Sequence, residues 1–206
     1  MPSRNLQRLD AGNAYYHVYS RGVNKAAVFE SDDDKSYFLY LLARHLSREP
    51  ANNSGGYTYP HYRGKVELLT YCIMDNHFHL MLYQVEQGNV TRLMRSVLTA
   101  YTAYYNQQHG RRGPLFESRY KSSHIDNDAY LIHVSRYIHL NPRYWRQYPY
   151  SSFRDIYKQT EPEWLQSERV LAQHGNDRSE YNQFVSDYEA NKRTLASIKY
   201  QLADQA

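Results

Sequence analysis

Apolar and polar positions along the chain follow two periods, and the switches between them mark the elements. Tyr15 to Ser20 (YYHVYS) is short and rich in β-formers, which predicts a strand. Ser31 followed by Asp32, Asp33 and Asp34 is an N-cap with acids in the first turn. It opens a helix to about His45 that buries Phe38, Leu39, Leu41 and Leu42. Residues 47–64 combine Gly, Pro, Asn and Ser with no period, which predicts a long loop. Lys65 to Met74 and His77 to Val85 are apolar runs of strand length joined at Asp75-Asn76, a pair that suits a tight β-hairpin turn. Asn89 then caps a helix to about His109, with Val90, Leu93, Met94, Val97, Leu98, Tyr101, Tyr104 and Tyr105 at helical spacing and Gly110 as the stop. Arg119 to Ile125 is a fourth strand, and Asp126 or Asp128 caps a further helix to Asn141, where Pro142 halts it. Past Trp145 a Tyr, Pro and Ser-rich connection leads to helical candidates at Trp164–His174 and Arg178–Leu202.

The order is βαββαβ plus one helix. This is the ferredoxin-like split βαβ pattern of the α+β class, an antiparallel sheet with two helices on one face. At 206 residues one domain with a helical appendage is expected. The mean hydropathy is −0.84 and no apolar run approaches the roughly 20 residues of a bilayer span. The polar N-terminus lacks a signal-peptide core, so a cytoplasmic protein with no membrane partner is expected. The single cysteine, Cys72, excludes a disulfide framework and a thiolate zinc cluster. Charge is uneven: residues 111–154 carry a net +5, residues 1–110 a net +2 and residues 155–206 a net −3. The 23 tyrosines supply faces that can stack on bases, or that can simply be half-buried surface rings.

His77 and His79 stand two apart at the start of a strand, so both imidazoles project from one face and can hold one cation; alternatively they are surface or core histidines. Leu131, Val134 and Ile138 form the stripe of the later helix that faces the sheet. Tyr137 and Asn141 share a neighbouring face, with His133 one turn earlier, a placement that suits either a cleft edge or an ordinary helix boundary. Arg111, Arg112, Arg119 and Lys121 can neutralise backbone phosphates or form a solvated charged face.

Three segments together resemble the single-tyrosine HUH transposases, and within them the REP-associated tyrosine transposases of bacteria. They are His77-Phe78-His79 within YCIMDNHFHLML, GPLFESRYK (Gly113 to Lys121) and SRYIHLNP (Ser135 to Pro142). YPYSSFRDI (Tyr148 to Ile156) is similar to the family as well. The resemblance implies a catalytic domain over residues 1–157 and a C-terminal helical extension over 158–206. It implies a metal-dependent endonuclease and strand transferase for single-stranded DNA that cleaves through a 5′-phosphotyrosyl link. Tyr137 would be the nucleophile, His77 and His79 ligands of Mg²⁺ or Mn²⁺, and Asn141 would stand where insertion-sequence relatives place a glutamine ligand. Arg136 joins the basic residues as a DNA contact, and His133 is a candidate auxiliary group. The implied partner is single-stranded or hairpin DNA from repetitive extragenic palindromes, bound by a protein associated with the bacterial nucleoid. A monomer is expected, with a dimer as the alternative. The alternative function is a hairpin-binding protein of the same fold without turnover. The acidic C-terminal segment is expected to complete the core around Trp164 and Phe184, the alternative being a tail that packs on the catalytic domain and partly shields the DNA cleft.

Overall fold

A computed structural model describes residues 10–187. Four strands, β1 (Ala14–Arg21), β2 (Val66–Ile73), β3 (His77–Gln84) and β4 (Lys121–Ile125), form one sheet in the order β2-β3-β1-β4. Every neighbouring pair is antiparallel, as the ferredoxin-like α+β arrangement requires. Helices α1 (Asp32–Leu46) and α2 (Asn89–Gln108) lie in the two crossovers. They cover the face that carries Phe78, with Phe38 at 5.0 Å from the Phe78 ring and at 5.2 Å from that of Tyr101. Helix α3 (Asp128–His139) covers the other face, followed by α4 (Phe153–Lys158), α5 (Glu168–Leu171) and α6 (Arg178–Ser186).

The local signals act mostly where the sequence places them. Ser31 accepts from the Asp34 amide at 3.1 Å while the Asp34 carboxylate accepts from the Ser31 amide at 3.0 Å, a closed capping box. The loop at 47–64 is pinned at both ends: His45 Nδ1 donates to the Pro60 carbonyl at 2.6 Å and His61 Nε2 to that of Ser47 at 2.7 Å. Burial keeps His45 neutral by lowering its pKa.

Several boundaries move. The N-cap of α2 is Gly88, at φ 84°, rather than Asn89, because Gln84 Oε1 already accepts from the Val90 amide at 2.8 Å. The cap of α3 is Asn127, which accepts from the Tyr130 amide at 2.8 Å, rather than Asp126 or Asp128. That helix ends at His139, so Asn141 lies just past its cap. In place of one helix over Trp164–His174, Leu165 bridges to Leu68 and only Glu168–Leu171 and a 3-10 turn at Ala172–His174 are helical. Of the helix expected over Arg178–Leu202, residues 188–202 lie outside the described residues.

The free edge of β2 is closed by the chain that follows α3. Ile73 donates to Tyr150 and Ser152 to Tyr71, while Gln166 donates to Leu68, so this segment does the work of a further strand. Leu165, Val170, Leu171, Tyr181 and Val185 join the same core cluster as the sheet. Trp164 stacks on Tyr71 and Phe184 packs on His133 and His174.

The consequence falls on α3. A helix covered on one face shows one apolar stripe, but here every residue from Val134 to His139 is buried, because the sheet lies on one side and α4 to α6 lie on the other. His139, fully buried, bonds Ser152 Oγ through Nε2 and the Tyr181 hydroxyl through Nδ1, each at 2.8 Å. Burial drops its pKa to about 3, so it is a neutral joint between helices. Tyr181→Phe removes that hydroxyl and leaves a buried ring nitrogen without its partner. The variant should lose about 1–3 kcal/mol of stability, read as a lower urea midpoint at unchanged slope.

Candidate functional site

The site is built on the two central strands. Antiparallel pairing sets Arg21 opposite His77, Tyr19 opposite His79 and His17 opposite Met81, and alternation puts all six on the face beneath α3. His77 is partly exposed, whereas His79 and His17 are fully buried. The His17 and His79 rings lie nearly parallel, 12° apart with centroids at 5.0 Å, and His17 Nε2 is 2.8 Å from His79 Nδ1. Tyr19 stacks on both rings, and the Lys121 ammonium lies 5.9 Å from the Tyr19 ring.

Tyr137 enters from α3. Its ring meets His79 edge-on at 5.4 Å and His17 at 6.1 Å, and it is 5 % exposed, deeper than the cleft-edge placement its helical angle suggests. Asn141 donates from Nδ2 to the Tyr137 carbonyl at 3.1 Å, which turns its Oδ1 toward His77 Nε2, 3.3 Å away. The structure therefore brings together His77, His79, Tyr137 and Asn141, residues from a hairpin strand and from a helix end more than fifty positions later.

Asn76, at the hairpin turn, explains how His77 is held. Its Nδ2 donates to the Lys25 carbonyl at 3.1 Å, so its Oδ1 faces His77 Nδ1 at 2.6 Å and takes the ring proton there. His77 Nε2 then presents a lone pair to the Asn141 oxygen. Two acceptors at 3.3 Å are spaced as two ligands of one cation are, each at about 2.0–2.2 Å from the ion. Burial, with His77 and Arg21 nearby, holds the pKa of His79 well below the usual imidazole value, and a neutral ring is the form that can ligate. These residues fit a divalent cation. Among the described residues no three His, Cys, Asp or Glu side chains are placed to hold a metal ion, so such an ion would draw on two imidazoles, an amide oxygen and oxygens from water or phosphate.

Of the basic residues expected at DNA, Arg111, Arg112 and Arg119 are exposed and Lys121 is half-buried beside Tyr19. Arg111 and Arg112 follow α2, on the helical layer, where the Arg111 guanidinium lies 5.8 Å from the Tyr105 ring. Arg136 corrects the expectation. It is fully buried, with its guanidinium 4.3 Å over the Phe184 ring, and it donates to the Phe184 carbonyl at 3.4 Å and to His133 Nδ1 at 2.8 Å. It cannot reach a phosphate from there; it clasps α3 to α6. His133 is correspondingly engaged with Arg136 and Phe184 rather than placed as an auxiliary group beside Tyr137. His17, Tyr19, Arg21 and Asn76 were not singled out in the sequence. The alternation His17, Tyr19, Arg21 carried the same signal as His77 and His79, but its meaning depends on which strand lies alongside.

Residues 60–141 match the family of IS200-like transposases. Among solved structures, a REP-associated tyrosine transposase bound to a REP hairpin is similar at a TM-score of 0.52 and 14 % identity, covering 78 % of this chain and 90 % of that one. No curated protein matches the chain. The family match takes in the histidine pair, Tyr137 and Asn141, and the solved structure shares the fold, so both support the resemblance carried by the sequence motifs. No helix among the described residues is long and apolar enough to cross a membrane.

The placement of Arg136 has a direct test. Arg136→Ala should cost about 2–4 kcal/mol in urea unfolding, through a cavity and lost hydrogen bonds. Arg119→Ala, at an exposed position, should leave the urea midpoint unchanged.

Proposed function

We propose that this IS200-like protein is a metal-dependent endonuclease and strand transferase for single-stranded DNA, acting on palindromic repeats that fold as hairpins. The observation that carries the reading is the contact of the Tyr137 ring with His79, beside the facing acceptors of His77 and Asn141. One tyrosine, two histidines and an amide oxygen brought together suit metal-assisted phosphoryl transfer to a phenol.

The Tyr137 oxygen would attack the scissile phosphorus, forming the O–P bond as the bond to the 3′ oxygen breaks. The phenol proton is released and the departing 3′ oxygen takes one up. The products are a 5′-phosphotyrosyl strand and a free 3′-hydroxyl, which conserves the phosphodiester for rejoining without ATP. A divalent cation, Mg²⁺ or Mn²⁺, would supply Lewis-acid polarisation of the phosphate and offset the charge that builds up there. His77, His79 and Asn141 would hold it. Arg21 on β1 and Lys121 on β4 add positive charge on the same face of the sheet, and the exposed Arg119 extends the basic surface along the chain entering β4.

Hairpin DNA is the partner proposed, in line with the DNA carried by the similar solved structure. Unpaired bases flanking such a hairpin can stack on tyrosine faces, which duplex bases cannot. The depth of Tyr137 favours one other reading, a hairpin-binding protein of this fold without turnover.

A denaturing gel separates the two. The protein is mixed with a 3′-labelled single-stranded oligonucleotide carrying a palindrome from near its own gene, with Mn²⁺ or with chelator. A labelled protein band that survives denaturation, requires metal and vanishes in Tyr137→Phe is the expected outcome. Hairpin binding without that band would select the reading without turnover.

A further inference from the structure

The proposed reading leaves one buried group beside the ligands without a part to play. His17 sits on β1, fully buried, with its Nε2 at 2.8 Å from Nδ1 of the equally buried His79. A buried imidazole costs stability unless it is hydrogen-bonded, and a leucine would fill this space in a strand whose neighbour Val18 is already core. A ring nitrogen aimed at another ring nitrogen therefore calls for a reason beyond packing.

We propose that His17 is a positioning residue for His79: its Nε2 accepts the His79 Nδ1–H and so leaves the His79 Nε2 lone pair to face the divalent cation. The inference rests on the metal-dependent reading above. A neutral His79 carries one ring proton. Across a bond between two imidazoles there are two polarities, and only one of them leaves Nε2 of His79 able to ligate. In the other, His17 donates, the His79 proton sits on Nε2, and the ligand is blocked.

The surroundings hold the pair in register. The two rings lie 12° apart, Tyr19 stacks on His17 at 4.9 Å and on His79 at 5.8 Å, and Tyr137 closes over both edges. The same logic operates at His77, whose Nδ1 proton goes to Asn76. Each imidazole of the pair thus has its Nδ1 on a protein acceptor, the arrangement by which outer groups orient metal-bound histidines. The two acceptors differ in kind. Asn76 has its oxygen fixed by the Lys25 carbonyl, whereas His17 accepts only when its own proton is on Nδ1, so the two rings change tautomer together.

The test compares wild type, His17→Gln, which keeps an acceptor, and His17→Leu, which does not, by Mn²⁺ titration followed by electron paramagnetic resonance. His17→Leu should bind Mn²⁺ about tenfold to a hundredfold more weakly, and His17→Gln should stay within about threefold of wild type. Equal affinity in wild type and His17→Leu, or equal loss in both variants, would overturn the proposal. Nitrogen-15 spectra of Zn²⁺-loaded wild type supply a readout that no variant's folding can obscure: the His79 proton is expected on Nδ1, and a proton on Nε2 refutes the assignment. A His77→Ala control tells the two inferences apart. If that variant binds Mn²⁺ as wild type does, the metal reading itself fails; if it loses binding while His17→Leu does not, only the role of His17 falls.

Discussion

The antiparallel pairing of β1 with β3 carries the rest of this structure. It is the central pair of the sheet, and its register decides what stands beside the two histidines. Because side chains alternate with a period of two, a slip of one residue would send His17, Tyr19 and Arg21 to the face covered by α1 and α2 and bring Tyr16, Val18 and Ser20 under α3. The register is held at the hairpin turn, where Gly22 donates to the Asn76 carbonyl and Val28 and Phe29 both donate to that of Asp75. A side chain at Gly22 would meet the Ala26 carbonyl oxygen at 2.3 Å, so the chain can fold back over the turn this closely only with glycine there. The anchoring of Asn76 by Lys25, and so the orientation of His77, follows from that close approach.

The second constraint is the cover over α3. The segment beyond residue 145 seals the β2 edge and then returns as α5 and α6, so the helix that carries Tyr137 is packed on both sides. Burial on both sides makes the helix a well-packed support that fixes Tyr137 against the histidines. It also demands that polar residues on the outer face find partners. Arg136 does so with Phe184 and His133, and His139 with Ser152 and Tyr181. The polar residues flanking Tyr137 in SRYIHLNP therefore divide by direction. Asn141 turns back toward the histidines, while Arg136 and His139 tie α3 to the C-terminal segment.

The acidic balance of residues 155–206 takes on a structural meaning over its described part. Glu163 pairs with Arg48 at 3.4 Å and Arg169 with Glu67 at 2.6 Å, which attaches the extension to the body of the fold, while Glu161 pairs with Arg178 within the extension. The basic stretch divides in the same way. Arg111, Arg112 and Arg119 remain at the surface, Lys121 stands beside the site, and Arg136 is withdrawn into the interior.

What the sequence determined alone was whatever depends on neighbours within a few positions. The period of two at His77-Phe78-His79, the capping box at Ser31, the turn at Asp75-Asn76 and the helical spacing over 90–105 are local, and local sterics and hydrogen bonding settle them. The order βαββαβ then limits the topology to few choices, which is why the sheet order was legible. The N-cap of α2 was not, because the Val90 amide in its first turn is satisfied by Gln84, on the preceding strand. The fate of Arg136 was not legible either: a basic residue on a basic stretch reads as surface unless one knows that α6 lies across it. His17 belongs to the same class. Its distance from His79 in the chain is 62 residues, and only strand pairing, set by the burial of two opposed faces at once, could make a neighbour of it.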